Sequence, residues 1–244
     1  MTVVVLLHGI GGAAWGPTLP ALAPARVLDW PLPGYGGTPM LPETSFAAWA
    51  AALREALDRA GIPRADILGH SIGGMLAQEF ALTFPERVRR LVLYATTPAF
   101  GGRDPAFADQ FLRERLAPLE AGRSMPQLAA ESLPPMLGPE APSGAAEAAV
   151  AAMAAVPEPA YRATVRCLTT FNRRDDIGRI AAPTLLLAGE RDPLAPPRTM
   201  ERMQQAIRGA RLVVLPGAGH LAHLEYPDAF NAAVGAFLHA AGEA

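Results

Sequence analysis

The 244-residue chain contains no lysine; all 21 of its basic residues are arginine. That absence removes Schiff-base and pyridoxal-phosphate chemistry, a phosphate-loop lysine and Ser–Lys dyads together. Cysteine is nearly as scarce. Cys167 stands alone, so no internal disulfide and no CxxC or Cys/His metal spacing exists. Charge is sparse too: 18% of residues carry it and the net charge is −2, which provides no electrostatic footprint for nucleic acid or an anionic membrane. No apolar run approaches the ~20 residues that cross a bilayer. No G-x-G-x-x-G follows a strand pattern, so a dinucleotide site has no support. Met1-Thr2-Val3-Val4-Val5-Leu6-Leu7 has no basic region before it and no cleavage site after it. It reads as a first strand and not as a signal peptide, and a cytoplasmic location is expected. No cofactor, metal, nucleic-acid partner or membrane partner is called for, and nothing in the sequence addresses the oligomeric state.

Half the residues are hydrophobic, which suits one globular domain with an insertion. Short branched-apolar runs recur at Val3–Leu7, Arg26–Trp30, Asp66–Leu68, Leu91–Tyr94, Thr184–Ala188 and Leu212–Leu215. They are continuous rather than alternating, as parallel strands covered on both faces require. Helical patterns lie between them: Phe46 to Leu57 after Thr44-Ser45, Gly73 to Thr83 stopped by Pro85, Pro197 or Thr199 to Ile207, and Pro227 to Leu238. The alternation predicts an α/β fold with a mostly parallel sheet. Pro98 to Phe171 breaks the rhythm with helical patterns alone, over Phe107–Leu116, Leu128–Met136, Ala145–Met153 and Pro159–Leu168. Prolines, Pro118 among them, are expected to keep these pieces short. An all-helical insertion (98–171) between strands of a parallel core (1–97 and 172–244) falls near the strands' carboxyl ends, where such folds bind ligands. It is expected to form a cap over the site, the alternative being ordinary surface helices.

Chemistry concentrates in Gly69-His70-Ser71-Ile72-Gly73, a G-x-S-x-G directly after a strand pattern and directly before a helical one. In that context a serine sits on a sharp strand-to-helix turn with its hydroxyl presented, and the helix start aims backbone N–H groups at negative charge. Ser71 then needs a base, and the base an orienting acid. Of five histidines, His220 follows Pro216-Gly217-Ala218-Gly219, a flexible turn after the last strand, and is the expected base; His223 is expected to be structural. Asp192 follows the strand Leu185–Ala188 and precedes Pro193, which favours an extended or turn conformation with a free side chain. Glu190 is the competing carboxylate, with surface pairing to an arginine as its expected role. The oxyanion of a tetrahedral intermediate needs two amides. Ile72 and Ile10, the latter in His8-Gly9-Ile10-Gly11-Gly12 after the first strand, are the candidates. A phosphate-binding role for that glycine-rich loop is the alternative.

With these pieces in hand the chain resembles the α/β-hydrolase superfamily over essentially its whole length. The matching segments are His8-Gly9 with its glycines, Leu32-Pro33-Gly34-Tyr35-Gly36-Gly37-Thr38, Gly69 to Gly73, Gly189-Glu190-Arg191-Asp192 and Gly217-Ala218-Gly219-His220. The resemblance implies Ser71 as nucleophile, Asp192 as acid, His220 as base and Ile10 and Ile72 as the oxyanion hole. Within the superfamily the chain is similar to small bacterial esterases, 3-oxoadipate enol-lactonases, cofactor-free perhydrolases and the pimeloyl-carrier-protein methyl ester esterase. Members usually carry an antiparallel hairpin before the strand ending in His-Gly; here that strand begins at residue 2, so about six strands are expected, with the leading hairpin missing.

A serine nucleophile argues against the dehalogenase and epoxide-hydrolase branches, which are built around aspartate. A carboxylic ester hydrolase acting on a small-molecule ester or lactone through an acyl-enzyme is the leading expectation. The same triad would serve a carbon–carbon hydrolase or a perhydrolase, and the same fold could host a ligand receptor. Trp15, Phe107, Phe111, Met136 and Leu221 are the expected substrate contacts, out of a wider set that includes Phe100, Met125, Leu128, Leu133, Met153, Tyr161 and Phe171. Most of these would pack the insertion's own core, and the rest would favour an apolar acyl or aromatic group. Arg103, Arg113, Arg115, Arg123, Arg162, Arg166, Arg173 and Arg174 are expected mostly on solvated helix surface. One turned inward would pair with a substrate carboxylate.

Overall fold

The computed structural model describes residues 2–101 and 105–240. Six strands pair in parallel in the order β2-β1-β3-β4-β5-β6. They are β1 (Val3–Leu7), β2 (Arg26–Asp29), β3 (Ala65–His70), β4 (Val88–Tyr94), β5 (Thr184–Gly189) and β6 (Arg211–Leu215). β1, β3 and β5 are buried at every residue, whereas the edge strands β2 and β6 begin with exposed arginines. The runs in β1, β3 and β5 thus mark strands covered on both faces, whereas the runs expected to be so covered at Arg26–Trp30 and Leu212–Leu215 form edge strands that are only partly buried.

Helices α1 (Phe46–Arg59), α2 (Ile72–Thr83), α7 (Pro197–Ala206) and α9 (Pro227–Leu238) flank the sheet, with a short α8 (Ala222–Glu225) before the last. Ser45 caps α1 by accepting the Ala48 amide, 3.2 Å away. The chain passes from β1 to β2 on one side and then to β3 on the other, so the carboxyl ends of β1 and β3 adjoin where strand order reverses. Open α/β sheets form their binding crevice there.

Between β4 and β5 come α3 (Pro105–Glu120), α4 (Met125–Ser132), α5 (Ser143–Ala154) and α6 (Glu158–Leu168). Two expectations are corrected. The pattern from Leu128 to Met136 is not one helix: α4 stops at Ser132 and a separate 3-10 turn covers Pro134–Met136, because two successive prolines supply no amides to continue the ladder. Pro118 does not punctuate α3, which runs 16 residues with it inside. One missing N–H near the helix end costs less than exposing Leu116 and Leu119, both buried on either side of it.

The two ends of the insertion are zipped together. Phe100 N donates to Phe171 O at 2.9 Å, and Arg173 N donates to Pro98 O at 2.7 Å. Arg173 also forks onto the buried Glu79 of α2, at 2.6 and 2.7 Å. Arg173→Met strands that carboxylate and is expected to lower stability by about 1–2 kcal/mol, a value reduced because Arg173 is partly solvated. Urea unfolding measures it; a midpoint equal to that of the unsubstituted protein would refute the pairing's contribution.

Candidate active site

β3 runs into Ser71, and α2 begins at the next residue. Ser71 holds φ 54° and ψ −118°, one of two non-glycine residues with positive φ among the described residues. Such a backbone costs about 1–3 kcal/mol and persists only where its surroundings dictate it. Here Ser71 N donates to Tyr94 O (2.9 Å), while Ser71 O accepts from Met75 N (3.1 Å) and from the Thr96 hydroxyl (2.8 Å). Glycine is obligatory on either side. A Cβ at Gly69 would run into the backbone of Gly73 and Gly74, and one at Gly73 into the carbonyls of Leu7 and His8. The elbow therefore presses on the end of β1, and the loop after β1 passes Ser71 closely: a Cβ at Gly9 would lie 3.5 Å from the Ser71 Cβ. Ile10 lies on that loop, fastened by the Tyr35 hydroxyl donating to its carbonyl at 3.1 Å. Ile72 is the first residue of α2, where an amide has no acceptor within the helix.

The loops after β5 and β6 bring Asp192 and His220 together. His220 Nδ1 lies 2.8 Å from Asp192 Oδ2, and both side chains are buried. The other carboxylate oxygen accepts the amides of Leu194 (2.8 Å) and Ala195 (3.0 Å). Burial pushes the Asp192 carboxyl up, but the His220 charge, its hydrogen bond and the two amides outweigh burial and hold it below the usual carboxylate range. An ionised Asp192 accepts only, so His220 Nδ1 donates and the Nε2 lone pair is free to take a proton. Glu190 plays a different part and shapes the turn after β6, where it accepts the Gly217 amide at 3.0 Å and lies 3.6 Å from Arg191.

Ser71 and His220 line one cavity of about 870 Å³ beneath the insertion helices, and Asp192 stands behind its wall. Gly9, Ile10, Gly11 and Gly12 form the β1 side. Trp15, Phe107, Phe111, Met136 and Leu221 all reach it, as do Phe100, Leu133, Met153 and Tyr161. Phe107 is nonetheless 48% exposed, at the cavity's rim rather than in its depth. Met125, Leu128 and Phe171 are absent from the lining and buried in the core. Among the arginines, Arg115 and Arg174 line the cavity, together with Arg202 of α7, which sequence reasoning missed. Arg115 sits 5.3 Å from the centre of the Phe111 ring, and its charge opposes the upward push that burial gives the Tyr161 hydroxyl. Arg123 and Arg162 instead pair with Glu131 and Glu158, Arg113 and Arg166 are exposed, and Arg103 lies outside the described residues. No carboxylate lines the cavity among the described residues.

The sequence profile of the alpha/beta hydrolase family matches residues 4–233, a span that contains Ser71, Asp192 and His220. The chain belongs to the alpha/beta hydrolase family. It is 30% identical over 241 residues to the pimeloyl-acyl-carrier-protein methyl ester esterase of Photobacterium profundum, covering 93% of this chain and 91% of that protein. A solved hydrolase from Pseudomonas aeruginosa is 31% identical with a TM-score of 0.87, covering 98% of this chain and 90% of that one. A thermophilic esterase from Thermogutta terrifontis, solved with malate bound, is 26% identical with a TM-score of 0.87, covering 98% and 89%.

Around its site this hydrolase packs buried imidazoles: His223, expected to be structural, and His8 and His70, to which the sequence assigned no role. His70 Nε2 donates to His220 O (3.0 Å), and the Tyr94 hydroxyl donates to the same oxygen (2.8 Å). His223 Nδ1 lies 3.3 Å from that hydroxyl, and its ring packs 5.1 Å from Trp15. His8 donates from Nδ1 to Gly9 O (2.7 Å) and accepts the Leu32 amide at Nε2 (3.0 Å), a pattern only the neutral ring satisfies. Glu225 was missed as well. A carboxylate between Leu224 and Tyr226, in a stretch otherwise short of charge, is the only trace of it in the sequence.

Proposed function

We propose that this alpha/beta hydrolase cleaves a carboxylic ester or lactone of a small molecule through an acyl-enzyme on Ser71. The observation that carries the reading is the Asp192–His220 pair, which shares one cavity with a serine held at positive φ. His220 takes the Ser71 proton as the oxygen attacks the carbonyl, and Asp192 stabilises the imidazolium that forms. The amides of Ile10 and Ile72 receive the oxyanion. His220 then protonates the leaving alkoxide, and a water activated by the same imidazole clears the acyl group. The esterase relatives support this chemistry.

The insertion serves as a cap, and its apolar wall selects an acyl or aromatic group of low polarity. Arg115 and Arg202, in a cavity with no described carboxylate, suit a substrate that also carries an anionic group away from the ester. Among the described residues no helix is long and apolar enough to cross a membrane.

A fluorophosphonate probe is expected to label one serine per chain, mapped to Ser71 by peptide mass. A p-nitrophenyl ester should release one equivalent of phenol in a burst before steady turnover. Labelling elsewhere, or stoichiometric labelling without ester turnover, would refute the reading, the latter in favour of a ligand receptor.

A further inference from the structure

The acid Glu225 stands outside the triad, yet its side chain is buried to within 4% of full enclosure beside the catalytic loop. Oε2 accepts the amides of Gly138 (2.7 Å) and Gly219 (2.9 Å), and Oε1 accepts the amide of Leu221 (3.0 Å). Gly219 and Leu221 bracket His220. Gly138 belongs to the insertion, in the link between α4 and α5. His220 N itself donates to Met136 O at 2.8 Å in that same link. The two backbones touch with no side chain between them: a Cβ at Gly219 would run into Met136 O, and one at Gly138 into Gly217 O. Met136 meanwhile lines the cavity. The segment that Glu225 grips is therefore also a segment that substrate meets.

We propose that Glu225 is a positioning residue: its carboxylate ties the His220 loop to insertion segment Met136–Gly138, so that His220 serves Ser71 only while that segment is seated. The proposal rests on the reading of His220 as the base. Three charge-assisted bonds to amides from two separate parts of the chain fix the base where an apolar or neutral side chain could not. A small displacement of a catalytic group costs about 100-fold in rate.

Glu225→Gln keeps the shape, loses the charge and turns an NH2 group toward at least one amide hydrogen. Its kcat for a p-nitrophenyl ester is expected to fall about 100-fold with KM nearly unchanged. Fluorophosphonate labelling of Ser71 should slow in step, and the downfield proton resonance of the His220–Asp192 hydrogen bond should broaden or vanish. The far-UV circular dichroism should stay that of the unsubstituted protein. Glu225→Asp, shorter but charged, should recover part of the rate and of the resonance. A folded Glu225→Gln protein with unaltered kcat and resonance would overturn the proposal. So would a folded Glu225→Asp protein with unaltered kcat, should the Gln protein not fold. Failure of the unsubstituted protein to label at Ser71 would instead overturn the triad reading, so the two failures are distinct.

Discussion

Ser71→Ala is expected to leave the fold intact and to cut ester turnover by about 10⁶-fold, the loss seen when the nucleophile of a serine triad is removed. The expected size follows from what remains. With the Ser71 oxygen gone, the proposed oxyanion amides of Ile10 and Ile72 and the proposed base His220 would remain, but no acyl-enzyme would form and its two easier steps would collapse into one hard one. The substitution removes one atom from a side chain whose backbone is held by Tyr94, Thr96 and Met75, so thermal stability should stay close to that of the unsubstituted protein. Steady-state kinetics on a p-nitrophenyl ester, with circular dichroism as the folding control, measures both quantities. Retention of even a tenth of the turnover would rule out Ser71 as nucleophile.

The second large effect concerns pH. Burial holds His8 down at about 4 and His223 at about 3, the latter aided by the charge of His220. Burial, with the charges of His220 and His223, also holds His70 well below the usual imidazole range. In the unfolded chain all three return to about 6.5. Below pH 6.5 the unfolded state therefore binds protons that the native state refuses. Stability is fully present above that pH and drains away as pH falls toward 4 and then 3. The slope is about 1.4 kcal/mol per pH unit for each neutral imidazole, so about 4 for the three together. Asp29 and Asp66, whose carboxyls burial raises, titrate in the opposite sense and soften the acid end. Urea unfolding at pH 7.5, 6 and 5 is expected to show a progressive loss of several kcal/mol, and His223→Phe should reduce the slope by about a third. Equal stability at pH 7.5 and 5 would mean that the cluster is not held neutral. The loss bears on activity because His70 and Tyr94 hold the carbonyl of His220 itself.

Local chemistry explains why so much of the framework was legible. Continuous apolar runs flanked by turn residues name strands, though not which of them are edges, and Val3–Leu7 and Pro227–Leu238 match their elements residue for residue. Ser45 before α1, Pro85 after α2 and Gly69, whose Cβ would meet Gly73 and Gly74, act on their own neighbourhoods, so nearby residues are enough to read them; Gly73 is required by Leu7 and His8 at the end of β1, 66 and 65 residues away in sequence. Pro118 misled for a related reason. Its local rule is sound, but burial of Leu116 and Leu119 against other elements outweighed it.

The proposed triad occupies an intermediate position. The order Ser71, Asp192, His220 after β3, β5 and β6 is a property of the sequence, whereas the 2.8 Å approach of Asp192 to His220 depends on β5 and β6 being neighbours in parallel register. The direction of the insertion arginines had no sequence signal at all. Arg115 and Arg202 lie 87 positions apart and meet the same cavity only because α3 and α7 pack over one crevice. Glu225 shows the limit most plainly, since its three amide partners lie 4, 6 and 87 residues away. The sequence by itself determined the sheet, the strained serine and the kind of residue that could act on it, because periodicity and turn stereochemistry are local. Tertiary structure alone decided which charges face the cavity and what holds His220 in place, because those depend on long-range packing and on amides that every residue carries and no sequence pattern distinguishes.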